Sequence, residues 1–168
     1  MCLVKRGDYM QMTLTAKIQL IVSAEDCRLL HSTANVYRNA CNFVSEYIFQ
    51  THNLKQFSLN QELYYKIREK FGLGSQMTQS VLKTVIARYK MIRTNQREWI
   101  QPKFKIPQFD LVWNRDYSLS QNHFSVNTLN GRIKLAYYAK GMEKYFDKET
   151  GRVLKKECKS KDQTQTKY

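Results

Sequence analysis

The sequence predicts an α+β fold, a small β-barrel interrupted by a three-helix bundle, on three observations. Apolar residues recur with a period of two over residues 10–22, with a helical period across residues 23–96, and again in short strand-like runs between 109 and 138. Strands therefore flank an inserted helical block. A sheet closed on itself is the economical way for the two strand regions to share one core. The 168 residues suffice for one compact core, or for two small modules sharing one.

The first strand rests on Met10, Met12, Leu14, Ala16, Ile18 and Leu20, which fall on one face with Gln, Thr and Lys mostly on the other. Ser23 then marks a helix start. Its hydroxyl can accept from the backbone amide of Asp26, and the Asp26 carboxylate can reciprocate. From there Leu30, Ala34, Tyr37, Cys41, Val44 and Ile48 repeat at helical spacing to about Thr51. A second helix is expected from Ser58, with Gln61 three residues on, through Leu63, Tyr64 and Ile67 to Phe71, where Gly72-Leu-Gly74 breaks it. The third, Gln76 to Gln96, buries Met77, Val81, Leu82, Val85, Tyr89 and Ile92.

Pro102 and Pro107 bracket an extended basic passage, Lys103-Phe-Lys105. Four strand-like runs follow: Phe109–Trp113, Tyr117–Leu119, His123–Val126 and Arg132–Tyr138. Turn chemistry at Asn114-Arg-Asp116, Ser120-Gln-Asn122 and Asn130-Gly131 separates them. The organisation expected is a first strand with its extension over 1–22, a helical bundle over 23–101 and further strands over 102–150. A polar tail over 151–168 is expected to be disordered.

Charge narrows the class of partner. Lys and Arg number 28 against 14 Asp and Glu, a net charge of +14 that favours a polyanion over a metabolite. It is also segregated: residues 66–105 carry ten basic and two acidic side chains, whereas residues 24–51 carry two basic and three acidic. Tyr64, Tyr65, Lys66, Arg68 and Arg88 stand among these cations as candidates for stacking or phosphate contact. No apolar run reaches the ~20 residues that cross a bilayer, and the first residues lack the long apolar region of a signal peptide, so a cytoplasmic protein with no membrane partner is expected.

Catalytic signals are weak. Cys27 and Cys41 stand fourteen residues apart on one predicted helix, about 21 Å, too far for a bridge, and no Cys-x-x-Cys pair suggests zinc or redox chemistry. A two-metal nuclease needs three or more converging carboxylates. The clusters available are Glu25 with Asp26, Asp110 with Asp116, and Glu143 with Asp147 and Glu149; the first marks a helix start and the last a Lys-rich turn. His31, His52 and His123 are scattered, and Gly72-Leu-Gly74 lacks the Lys of a phosphate loop. The chain alone is expected not to be an enzyme, with no catalytic residue, metal or cofactor of its own.

Three segments carry a resemblance: Tyr37-Arg-Asn-Ala-Cys-Asn-Phe-Val-Ser-Glu-Tyr-Ile-Phe49, Tyr64-Tyr-Lys-Ile-Arg-Glu-Lys-Phe-Gly-Leu73 and Thr128-Leu-Asn-Gly-Arg-Ile-Lys134. In this order they resemble the amino-terminal half of TnpB, the OrfB transposase-associated RNA-guided nucleases of insertion sequences, relatives of the type V CRISPR effectors. The likeness covers about four-fifths of the chain. It implies an oligonucleotide-binding-like barrel, the wedge, into which a helical recognition domain is inserted, holding a structured guide RNA and target DNA. The family's magnesium-dependent chemistry lies in a RuvC-like domain expected beyond this chain, so the barrel is open to being incomplete. A RuvC-bearing subunit encoded elsewhere is then a possible partner, and a truncated remnant of a mobile element is the other origin.

Gln79 resembles a glutamine that reads the motif beside the target, a task suited to an amide because it can pair bidentately with adenine. Ser75 falls where some relatives carry a Lys for that task. The residues assigned to nucleic acid are Gln76, Gln79, Lys83, Lys90, Arg93 and Arg97 on the third helix, Lys103 and Lys105 beyond it, and Arg132 and Lys134 in the last strand. The alternative function is a nuclease-free regulator from the same family that occupies DNA without cutting it.

Overall fold

The computed structural model describes residues 17–95, 98–120 and 123–139. Within them the order is β1 (Gln19–Ile21), α1 (Ala24–Thr51), α2 (Gln56–Phe71), α3 (Ser75–Thr94), β2 (Tyr117–Leu119), β3 (Phe124–Thr128) and β4 (Gly131–Tyr138). The fold is α+β. Residues 10–16 of the expected first strand, Arg97, and the polar tail over 151–168 lie outside the described residues.

Local chemistry sets the helix ends. The Ser23 hydroxyl accepts from the Asp26 amide at 3.1 Å and donates to the Asp26 carboxylate at 2.7 Å, the reciprocal cap expected at the start of α1. Glu25 and Asp26 in the first turn also favour the positive end of the helix dipole. At the other end His52 takes a left-handed φ of 55°, and its amide donates to the Ile48 carbonyl at 2.9 Å.

The start of α2 corrects the expectation at Ser58. Asn53 sets the turn, its side-chain oxygen accepting from the Lys55 amide at 2.9 Å, so the helix already begins at Gln56. Ser58 lies inside it, accepting from Asn53 at 2.8 Å and donating to Glu62 at 2.9 Å. Gly72, at φ 65°, closes α2 in a conformation that strains any L side chain.

The three helices bury one apolar cluster. Tyr37, Ala40, Cys41, Val44 and Ile48 of α1 meet Leu59, Leu63 and Ile67 of α2 and Met77, Val81, Leu82, Val85 and Tyr89 of α3. Polar groups inside are paired. The Tyr89 hydroxyl donates to the Ser45 carbonyl at 2.7 Å, and the Tyr37 hydroxyl pairs with that of Thr84, which donates to Asp110 at 2.6 Å. Burial, with the Asp110 carboxylate nearby, pushes the Cys41 thiol up to about 12, so this cysteine is an inert packing residue.

Strand order is β1-β4-β3-β2, antiparallel throughout. Leu20 faces Tyr137 across β1 and β4, so the helical block is inserted between paired strands of one sheet. One face of the sheet carries Leu20, Tyr117, Leu119, Phe124, Val126, Ile133, Leu135 and Tyr137, a second, smaller apolar cluster. Ser118, Ser125, Asn127, Arg132, Lys134, Ala136 and Tyr138 belong to the other face by the same register. The four described strands form an open sheet with β1 and β2 at its edges. Ring closure of the expected barrel is not formed by them.

Phe109–Trp113 is not a strand beyond a single bridge from Trp113 to Tyr117, a second correction. Its backbone is used in a turn: the Val112 amide donates to the Asp116 carboxylate at 2.9 Å, and the Val112 carbonyl accepts from the Arg115 and Asp116 amides. Phe109 and Leu111 pack against both apolar clusters and join them. The expected run His123–Val126 also starts one residue later, at Phe124, where His123 is instead hydrogen-bonded to Ser120.

Residues 99–105 return along α1 as an extended strap. Trp99 donates to the Phe49 carbonyl at 3.1 Å, Ser45 to the Pro102 carbonyl at 2.8 Å, and Arg38 reaches the Lys105 carbonyl at 3.5 Å. Asn42 grips Phe104 twice, accepting from its amide at 2.8 Å and donating to its carbonyl at 3.1 Å. Removing both bonds in Asn42→Ala leaves two backbone groups of Phe104 without their protein partner. It is expected to cost about 1–3 kcal/mol in urea unfolding and to speed amide exchange at Phe104. Unchanged stability and exchange would show that the strap is held by Trp99 and Ser45 instead.

Candidate nucleic-acid interface

The assigned residues fall into three places. On α3, Lys83, Lys90 and Arg93 are exposed, while Gln76 and Gln79 are half-buried. On the strap, Lys103 and Lys105 are exposed on either side of the clamped Phe104. On β4, Arg132 and Lys134 are exposed on the outer face of the sheet. Sequence spacing groups the α3 residues, but it says nothing of how the three places are connected.

Side-chain hydrogen bonds connect two of them. Gln79 donates to the Asn60 side chain of α2 at 2.6 Å. One turn earlier, Gln76 accepts from the Arg115 guanidinium at 2.8 Å. The Arg115 carbonyl accepts from Asn127 at 3.0 Å and from Arg132 at 3.5 Å, and Arg132 also donates to Ser125 at 2.7 Å and Ser118 at 3.3 Å. A polar path thus runs from α2 through the first turns of α3 to the outer face of the sheet. Lys83 flanks it one turn beyond Gln79, and Lys134 pairs with Ser125 across β3 and β4.

The chemistry available along this path is of two kinds. Gln79 spends one amide hydrogen on Asn60, which fixes the amide while leaving its oxygen and second hydrogen to meet a base edge. Arg132 is held by hydroxyls and a carbonyl rather than by a carboxylate, so its positive charge is not neutralised by its hydrogen-bond partners. Ser75, Gln76, Met77, Asp116, Asn127, Leu129 and the glycines at 72, 74 and 131 line a cleft of about 410 Å³ where α3 meets the β3–β4 hairpin.

Lys103 and Lys105 belong to a different surface. With Lys70 they border a shallow cleft of about 550 Å³, together with Asn39, Asn42, Phe43, Glu46, Phe71 and Gln101. Lys70 itself lies 4.5 Å from the centre of the Phe43 ring. Nothing described links this cleft to the path through Arg115.

Sequence reasoning missed Asn60 and Arg115, the two residues that join the elements. Asn60 had a signal, a polar residue one turn from Tyr64 on a basic helix. Arg115 stood inside a turn and offered none. Asp110 and Asp116, the central carboxylate pair of the sequence, each hold a structural group, Thr84 and the Val112 amide. Among the described residues no three His, Cys, Asp or Glu side chains gather as a metal site, and no helix is long and apolar enough to cross a membrane.

Comparison with protein-family models, with curated proteins and with solved structures finds no match to this chain.

Asp116, buried next to Arg115 in the chain and accepting from the Val112 amide, supplies a pH test. Burial raises its pKa, opposed by the Val112 amide and by Arg132, Asn127 and Arg115. A carboxyl that protonates more readily in the folded state contributes most at low pH, and that contribution falls as pH rises from about the ordinary value of 3.8 through the folded value. The stability difference between wild type and Asp116→Asn should accordingly shift against the wild type as pH rises above the ordinary value of 3.8, followed by urea unfolding at several pH values. A pH-independent difference would remove the carboxyl's titration from the account of this turn.

Proposed function

We propose that the chain binds nucleic acid on the face where α2, the start of α3 and the outer side of the sheet meet. We further propose that it is the wedge and recognition part of a TnpB-like RNA-guided DNA endonuclease. The observation that carries the binding reading is the path from Asn60 through Gln79, Gln76 and Arg115 to Arg132, flanked by exposed cations on both layers. It lies on a chain of net charge +14. The strand-helices-strands order, with β1 paired to β4 around the helical block, agrees with a wedge carrying an inserted recognition domain.

In this reading Lys83, Lys90, Arg93 and Lys134 meet phosphates and release counterions. Arg132 and the serine hydroxyls beside it meet the sugar-phosphate backbone of a structured guide RNA, where 2′-hydroxyls offer further partners. Gln79, oriented by Asn60, touches a base of the target DNA. Cutting belongs to a RuvC-bearing domain or subunit, which would bring the carboxylates and magnesium.

Fluorescence anisotropy against structured RNA and duplex DNA over a salt series tests this directly. Lys83→Ala and Lys90→Ala should each weaken binding and reduce the slope of log affinity against log salt by about 0.7–0.9, whereas Gln79→Ala should relax base preference with the slope unchanged. Wild-type slopes retained in both lysine variants would remove α3 from the interface. Sequencing the RNA that co-purifies with the chain tests the family assignment separately: one discrete structured species supports it, and a heterogeneous mixture lost at moderate salt argues against it.

A further inference from the structure

Alternation sends the two consecutive tyrosines at the end of β4 to opposite faces of the sheet. Tyr137 packs in the inner apolar cluster, and its hydroxyl donates to the Ser120 carbonyl at 3.0 Å. Tyr138 lies on the outer face and is 52% exposed. One exposed ring is ordinary on a protein surface, so its neighbours decide what it can do.

The strand register supplies those neighbours. Arg132, Lys134, Ala136 and Tyr138 form one row along β4 on the outer face. Across from Tyr138 on β1 stands Gln19, and across from Ala136 stands Ile21, which is 63% exposed. Ile21 is therefore the diagonal neighbour of Tyr138, at the ~7–8 Å separation that an aromatic side chain can span. Ala136, between the ring and Lys134, adds only a methyl group to the surface. Along the strand Lys134 is about 13 Å from Tyr138, and Arg132 is about 7 Å further on.

Charge decides the occupant. None of the outer-face residues of the four described strands is Asp or Glu. Asp116, the carboxylate beside Arg132, is 1% exposed and accepts from the Val112 amide. Glu25 and Asp26 follow β1 in the chain, but they belong to the first turn of α1, whose Leu30 packs against the inner cluster. The outer face thus presents two cations at one end of the row and a ring with an aliphatic neighbour at the other. It is also continuous with the polar path, which ends at Arg132.

Such a face suits a polyanion with open rings. Unpaired bases offer their π-faces to an aromatic side chain while the phosphates between them meet lysine and arginine. A duplex keeps those π-faces inside its stack, so it can use the cations but not the ring.

We propose that the outer face of the sheet is a platform for single-stranded nucleic acid, with Tyr138 stacking an unpaired base beside Ile21 while Lys134 and Arg132 meet the phosphates. This rests on the nucleic-acid reading above and adds that the strand is unpaired where it lies on the sheet.

The test measures anisotropy of a labelled 20-nucleotide oligouridine and of a labelled 20-base-pair duplex on the full chain, over a salt series. Tyr138→Ala should lose affinity for the single strand by about 5- to 150-fold with an unchanged salt slope, and stay within about twofold of wild type on the duplex. Tyr138→Trp should retain single-strand binding. Lys134→Ala should weaken both ligands and lower both slopes. Circular dichroism and melting temperature check folding, and Tyr138→Leu, which keeps apolar bulk without a ring, gives the same comparison if the alanine variant unfolds.

Equal losses on both ligands from the Tyr138 substitutions, or none, overturn the stacking proposal. If Lys134→Ala loses affinity and the Tyr138 variants do not, stacking alone fails and the broader reading stands. If wild type binds neither oligonucleotide near physiological salt, the broader reading fails and the proposal with it. Conversion of a wild-type dimer to a monomer by Tyr138→Ala, with single-strand binding intact, would overturn the proposal and assign this face to a second copy of the chain.

Discussion

Everything in this fold is arranged around the need to bury the apolar stripe of α1. Over 28 residues it places Ala40, Val44 and Ile48 fully out of water, with Tyr37 and Cys41 nearly so. At about 1.5–3 kcal/mol for each large aliphatic side chain buried, this stripe is a leading source of stabilisation, and α2 and α3 exist to cover it. The remaining elements attach to the same helix. The strap is held by Arg38, Asn42, Ser45 and Phe49, and the tip of the β3–β4 hairpin donates from Leu129 to Thr33 at 3.3 Å.

That constraint explains where the charge went. A helix covered by two others, a strap and a hairpin has little surface left for cations, which agrees with the near neutrality of residues 24–51. The covering elements each keep one face in water, and there the lysines and arginines collect. Segregation of this kind concentrates positive potential on the outer elements without placing unpaired charge in the core. The same layering exposes Phe57 and Tyr65, because the apolar side of α2 is already occupied by Leu59, Leu63 and Ile67.

Much of the helical half was legible in the sequence because its period is long and regular. Met77, Val81, Leu82, Val85, Tyr89 and Ile92 were expected inside and are buried, and the Ser23 cap forms as its residue types predict. Ser58 misled because a serine three residues before Gln61 looks like a cap, whereas Asn53, earlier in the chain, takes the turn. Phe109–Trp113 misled because short apolar runs have no period to distinguish a strand from a bridge between two cores. The connections of the candidate site were illegible for a different reason. Asn60 with Gln79 and Gln76 with Arg115 are contacts between elements, 19 and 39 residues apart in the chain, and no local pattern encodes them.

The division between tethered and free polar groups suggests how such a face would work. Gln76, Gln79 and Arg132 are already bonded to neighbouring side chains, so ordering them on a ligand costs less rotamer entropy than ordering a free side chain. Lys83, Lys90 and Lys134 are exposed, and long cationic side chains in water attract a polyanion from a distance while specifying little about it. Tethered amides suit recognition and free lysines suit affinity. Under the proposed function, Gln79 would discriminate only while Asn60 holds its amide. Loss of Asn60 would leave the charge untouched and make the same surface less selective.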